Sequence, residues 1–266
     1  MAYSLIDIGA NLAHASFDDD RDDVLQRAIG AGVTTIVVTG SSDESNVQAA
    51  ALAESQPGTV YSTAGVHPHH ASDYDEASDA LIRDLVEKDV VVAVGECGLD
   101  YFRNFSPREA QLDAFRRQLD IAKDCGLPVF LHQRDAHDDF VEVLEAALPD
   151  LSRAVAHCFT GEGESLHEYI AMGLYVGVTG WICDERRGQH LQDIVSIIPD
   201  NRLLIETDAP YLLPRTIRPR PRTRRNEPAY LPYVLRTVAD ARGQSADHVA
   251  EITTANAVRF FGLPGN

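Results

Sequence analysis

Eight short apolar, β-branched runs recur along this chain of 266 residues, each followed by a longer amphipathic stretch. The runs fall at residues 4–8, 34–39, 60–64, 90–94, 128–131, 154–156, 175–178 and 202–205. Helical patterns fill the intervals, at 18–31, 46–55, 76–87 and 106–124 among others, and two more follow near 227–241 and 246–261. An unbroken run such as Val91-Val92-Ala93-Val94 belongs to a strand buried on both faces, the kind found in parallel sheets. Eight β–α repeats with short connections predict a closed (β/α)8 TIM barrel, with a doubly wound open sheet as the competitor. No linker or composition shift interrupts the pattern, so one barrel domain over residues 1–266 is expected. Its functional groups should then collect at the C-terminal rim of the strands.

The residues at those strand ends are of one chemical kind. They are Asp7 and Asn11 for the first run, His67 and His69 for the third, and Glu96 for the fourth. His132, His157, and then Glu206 with Asp208, follow the fifth, sixth and eighth. Histidine, glutamate and aspartate together are the donors that hold a divalent metal for hydrolysis. A lone histidine after a strand is more often a hydrogen-bonded structural residue, and His14, His70, His137, His167, His190 and His248 are read that way. Recurrence at equivalent points of successive repeats singles out Glu96, His132 and His157. Gly95 and Gly98 beside Glu96 read as room for metal and phosphate to approach. Cys97 and Cys158 each directly follow one of these residues, so they point to the opposite face and serve as packing. The cysteines show no paired spacing, which suits reduced thiols in the cytoplasm.

The formal net charge is −18, with Lys88 and Lys123 as the only lysines. Such a surface disfavours broad coating of a polyanion, which draws on cationic side chains. Much of the positive charge sits in one segment, Arg215-Thr216-Ile217-Arg218-Pro219-Arg220-Pro221-Arg222-Thr223-Arg224-Arg225, with Arg186-Arg187 in the preceding strand–helix loop. Barrels often bind phosphate in these loops, and arginine forks match phosphate oxygens. The bland alternative is pairing with the chain's own carboxylates. A local basic loop in an acidic protein points to a phosphodiester threading into a site. No apolar stretch reaches membrane-spanning length, and residues 1–7 lack the features of a secretory signal. A cytoplasmic monomer with no membrane contact is expected.

Several of these segments together resemble a known family. They are Asp7-Ile8-Gly9-Ala10-Asn11-Leu12, Ser62-Thr63-Ala64-Gly65-Val66-His67-Pro68-His69, Gly95-Glu96-Cys97-Gly98-Leu99-Asp100 and His132-Gln133-Arg134-Asp135-Ala136-His137. His157-Cys158-Phe159-Thr160-Gly161, Gly180-Trp181-Ile182-Cys183-Asp184-Glu185-Arg186-Arg187-Gly188, Glu206-Thr207-Asp208-Ala209-Pro210-Tyr211-Leu212-Leu213-Pro214-Arg215 and Arg225-Asn226-Glu227-Pro228 complete the set. This pattern is similar to that of the TatD family of metal-dependent deoxyribonucleases. The resemblance implies a barrel related to the amidohydrolases and a Mg²⁺-dependent 3′→5′ exonuclease of single-stranded DNA or RNA, active in DNA repair or nucleic-acid turnover. Carried over by motif, Glu96, His132 and His157 are metal ligands, and Asp208 is a ligand or general base. Most relatives carry a His-x-His pair after the first strand, where this chain has Gly9 and Asn11. That leaves one or two metals open, with Asn11 as a holder of water, phosphate or a weak second ion.

The expected mechanism assigns Asp208 as base, His67 as the group that stabilises charge or protonates the leaving oxygen, and Glu96 as both ligand and catalytic carboxylate. Arg215, Arg224 and Arg225 hold phosphates, and Glu206 supports the base. Mixed His/Glu ligation also suits Mn²⁺ or Zn²⁺. Two alternatives stand beside this one: a metal-dependent amidohydrolase or esterase, such as an aminoacyl ester hydrolase, and a non-catalytic nucleic-acid-binding scaffold.

Overall fold

A computed structural model describes residues 4–264; the N-terminal reading of residues 1–7 and the ends of the 1–266 domain lie partly outside them. The strands are β1 (Leu5–Ala10), β2 (Val33–Val38), β3 (Val60–Ala64), β4 (Val91–Asp100), β5 (Val129–Arg134), β6 (Ala154–Ala156), β7 (Tyr175–Val178) and β8 (Leu203–Ile205). They form one sheet in the order β1-β2-β3-β4-β5-β6-β7-β8. The helices between and after them are α1 (Arg21–Gly30), α2 (Asp43–Ser55), α3 (Glu76–Leu85), α4 (Arg108–Cys125), α5 (His137–Ala147), α6 (Gly163–Ala171), α7 (Gln189–Ile194), α8 (Leu231–Arg242) and α9 (Ala246–Phe261). Sequential parallel strands alternating with helices are the (β/α)8 architecture expected from the repeats.

Local chemistry sets the helix limits. Ser42 and Ser45 form a reciprocal capping box at the start of α2, and Asp75 accepts from the amides of Ala77 and Ser78 at the start of α3. Such caps satisfy amides that the helix itself leaves unpaired. Pro107 sits just before α4, and Gly126, at φ 72°, ends it in the left-handed region that glycine adopts without steric cost.

The chain divides into two compact units. One is Val38–His157 with Met172–Leu174; the other holds the segments up to Val37, Cys158–Ala171, and from Tyr175 onward. In the first, Phe115 and Phe140 stack at 5.6 Å in the core. In the second, β8 returns beside β1: the Asp208 amide donates to Gly9 O at 2.8 Å and the Asn11 amide to Ala209 O at 2.6 Å. The fully buried Asp7 on β1 reinforces this closure. Its Oδ1 accepts from the Thr207 amide at 2.9 Å, and its Oδ2 accepts from the Thr207 hydroxyl.

Three expected boundaries shift. β1 extends past residue 8 to Ala10, β4 past residue 94 to Asp100, and β5 past residue 131 to Arg134. Glu96 and His132 therefore lie within strands instead of after them, and Asp7 lies in the middle of β1. The extended part of β4 pairs Gly98 with His132, Leu99 with Gln133 and Asp100 with Arg134, after an irregularity between Gly95 and Cys97. This corrects the reading of the two glycines. A Cβ on Gly95 would strike the Phe130 carbonyl, and one on Gly98 the His132 carbonyl. Both also hold φ near 140°, at 136° and 139°, where side chains are strained. Their room is taken by the backbone of β5, not by a ligand.

Two outcomes follow from this closure and close approach. Gly98→Ala should lower unfolding free energy by about 2 kcal/mol or more, read by urea denaturation. The second concerns Asp7, whose carboxyl burial pushes up to about 8, with the Thr207 bonds opposing. Between about pH 4 and pH 8 the folded state thus keeps a proton that the unfolded state has lost, so stability falls as pH rises through this window. Asp7→Asn should flatten that slope in denaturation curves taken across it.

Candidate metal centre

Within the Val38–His157 unit, side chains from four neighbouring strands meet at one carboxylate oxygen. Glu96 Oε1 lies 2.8 Å from His157 Nε2, 3.0 Å from His132 Nδ1 and 3.4 Å from His67 Nε2. Backbone bonds place each donor: the Glu96 amide donates to Gly40 O at 2.7 Å, His157 to Leu131 O at 2.9 Å, and His67 to Ser41 O at 3.0 Å. His67, Glu96 and His132 each offer a ligand atom within 4.8 Å of the others. Nitrogen and carboxylate donors so grouped fit a divalent cation.

The electrostatics divides the cluster into charged and neutral members. Burial alone would raise the Glu96 carboxyl, but the imidazoles of His157, His67 and His132 outweigh it and hold the group well below its ordinary range. Burial likewise opposes charge on His132, yet hydrogen bonds to Asp100 and Glu96 prevail and raise it. His67 goes the other way, down to about 4, because burial dominates. Its Nδ1 accepts from the His69 amide at 3.1 Å. The hydrogen-bond pattern therefore puts the proton of the neutral ring on Nε2, facing Glu96.

A second carboxylate, absent from the residues expected at the strand ends, stands behind the first. Asp100 Oδ2 lies 3.2 Å from His132 Nε2 and 2.9 Å from His69 Nε2, and its Oδ1 accepts from the Arg103 amide at 2.7 Å. Burial pushes this carboxyl up, but the two imidazoles and the amide hold it low. His132 is thus gripped at both ring nitrogens. The signal was available in the spacing of Glu96, Gly98 and Asp100, since alternate residues of a strand share a face.

The remaining expected residues belong to the other unit. Asp208 follows β8 with φ 55°, and its Oδ1 accepts from Asn11 Nδ2 at 3.1 Å. Asn11 thus orients a carboxylate. Glu206 is fully buried and accepts from the Cys158 amide at 2.6 Å. Arg215 makes two bonds of 2.9 Å to Glu185. Arg225 makes two of 2.7 Å to Asp20 and one of 3.0 Å to Glu227. For these two arginines the bland reading holds in this structure: each is paired with a carboxylate of the chain itself.

Arg220, Arg222 and Arg224 of the same segment are not. Arg186, Arg187, Arg215, Arg220, Arg222 and Arg224 line a cavity of about 650 Å³ together with Trp181, against the single carboxylate of Asp184. Arg187 stacks on Trp181 with its Cζ 4.5 Å from the ring centroid. Arg220, Arg222 and Arg224 are exposed, and none has an ion pair among the described residues. Of the arginines expected to hold phosphate, Arg224 keeps an uncommitted guanidinium.

Known proteins match this chain along nearly its whole length. The family model "TatD related DNase" matches residues 6–262. The protein named 3′-5′ ssDNA/RNA exonuclease TatD of Erwinia billingiae is 50% identical, covering 98% of this chain and 100% of its own. The protein of the same name from Pantoea vagans is 52% identical over 97% of this chain and 100% of its own. Among solved structures, the TatD homologue YJJV of Escherichia coli K12 superposes with a TM-score of 0.90 at 31% identity, covering 99% of this chain and 100% of that one. With a full-length family match and relatives at half identity, the chain belongs to the TatD related DNase family.

Proposed function

We propose that this chain is a metal-dependent 3′→5′ exonuclease of single-stranded DNA or RNA, working as one monomeric barrel in the cytoplasm in DNA repair or nucleic-acid turnover. The observation that carries the reading is the convergence of three imidazole nitrogens on Glu96 Oε1, in a chain whose half-identical relatives carry that name. Glu96, His132 and His157 would hold the cation, with Asp208 as ligand or base. Mg²⁺ is the ion assigned, and Mn²⁺ or Zn²⁺ suits the nitrogen donors as well. Such a cation supplies Lewis acidity and charge neutralisation for phosphodiester hydrolysis.

The chain's own groups do the rest. Asp208, oriented by Asn11, accepts the proton of the attacking water. His67, neutral and protonated on Nε2, donates a hydrogen bond that stabilises charge developing on the phosphate or the leaving oxygen, which takes its proton from solvent. Glu206 braces the β8 end through its bond to the Cys158 amide. Arg220, Arg222 and Arg224 hold backbone phosphates as paired forks or point charges. The thiols of Cys97, Cys125, Cys158 and Cys183 suit a reducing compartment, and no described helix is long and apolar enough to cross a membrane.

Labelled single-stranded DNA and RNA, incubated with Mg²⁺, Mn²⁺ or Zn²⁺ and resolved on gels, test the reading. Digestion should proceed from the 3′ end, stop with chelator and resume when metal is returned. Asp208→Asn should lower kcat by about 10²–10⁴-fold with little change in KM. His132→Ala with intact activity at saturating metal would overturn the ligand assignment, and ester or amide turnover without nuclease activity would overturn the nuclease reading. In a separate measurement, the triple variant Arg220→Ala, Arg222→Ala, Arg224→Ala should raise KM. Its dependence of log affinity on log salt should flatten by about 2, at roughly 0.7 per lost phosphate contact on a single strand.

A further inference from the structure

The loop that follows β4 presents two aromatic rings to solvent beside the candidate metal centre. Phe102 is 53% exposed and Phe105 68% exposed. One exposed phenylalanine needs no explanation; two on a short, tightly fixed loop do. The fixing is extensive. Gln111, buried on α4, donates from Nε2 to Ser106 O at 2.8 Å and Asp100 O at 3.2 Å, and accepts from the Asp100 amide at 2.8 Å. Buried Ser106 donates to His69 O at 3.1 Å and accepts from the Ser72 amide at 3.0 Å. The rings are therefore held outward by a braced backbone.

Their surroundings connect them to the centre and give them a charge. Phe105 meets His69 edge-on at 4.7 Å between centroids, and His69 shares Asp100 with His132. Arg134 lies with its Cζ 3.9 Å from the Phe102 centroid, and Arg103 lies 5.6 Å from it. Neither guanidinium has an ion pair among the described residues, although the chain carries 41 acidic side chains. Exposed aromatic rings beside cations lacking anions are the parts of a single-strand binding platform, where bases stack and phosphates are neutralised.

We propose that Phe102 and Phe105 form a stacking platform for unpaired bases adjoining the phosphate to be cut, with Arg103 and Arg134 holding the phosphates between them. The proposal rests on the nuclease reading and deepens it. A base inside a duplex is already stacked on its neighbours and offers no free face, so the platform selects single strands without reading sequence. An apolar protein partner would leave both guanidiniums unanswered.

The test compares an oligonucleotide having intact 3′ bases with the same strand having abasic sites at those positions. Binding is read by fluorescence anisotropy and cleavage on gels. The folded full-length chain should favour intact bases by about tenfold in Kd. The double variant Phe102→Leu, Phe105→Leu, which keeps apolar bulk, should bring that ratio towards one, and Phe105→Trp should preserve it. A ratio unchanged in the double variant, or already near one in the parent, overturns the platform even if cleavage is normal. A preference that collapses as expected in a chain that cleaves neither strand with any metal upholds the platform and overturns the nuclease reading. Failure to bind either strand overturns both.

Discussion

Burying a carboxylate is the constraint on which the centre depends. An ionised Glu96 within the sheet would be costly unless compensated, and here the compensation comes from rings on three other strand ends. Each ring must arrive at the same oxygen, so β3, β4, β5 and β6 must stand in one register at their C-terminal ends. Parallel pairing supplies this, with Val129 opposite Ala154 and Leu131 opposite Ala156 carrying His132 and His157 up side by side. The cluster is a property of the sheet as much as of its side chains.

The lengthened β4 adds a second layer to the same arrangement. Carrying the strand on to Asp100 places a further carboxylate behind His132, the pattern by which an outer acid fixes the orientation of a ligand imidazole. The extension requires the β5 backbone to approach closely, and the glycines at 95 and 98 admit it. Removal of side chains from one strand thus allows precise placement of a side chain on the next.

Much of this was legible in the residue order. The alternation of apolar runs and amphipathic stretches indicated eight strands, and Glu96, His132 and His157 stood out because equivalent repeats ended alike. The end of β4 was hidden, since Gly95, Glu96, Gly98 and Asp100 interrupt the apolar pattern that marks a buried strand. Asp100 was hidden with it. The arginine pairings were illegible for another reason: Arg225 with Asp20 spans 205 positions, and long-range ion pairs leave no periodic trace. Phe102 and Phe105 were silent because exposure, which gives them their interest, is invisible in a one-dimensional pattern.

The short turn Pro68–Asp73 has a further bearing on His67. The proton position on that ring is decided by a main-chain amide, that of His69, and every amino acid but proline supplies such an amide. Drift at position 69 would cost the bond to Asp100 yet leave the tautomer of His67 intact. Information needed at the centre is stored in the polypeptide backbone, where ordinary substitution cannot erase it.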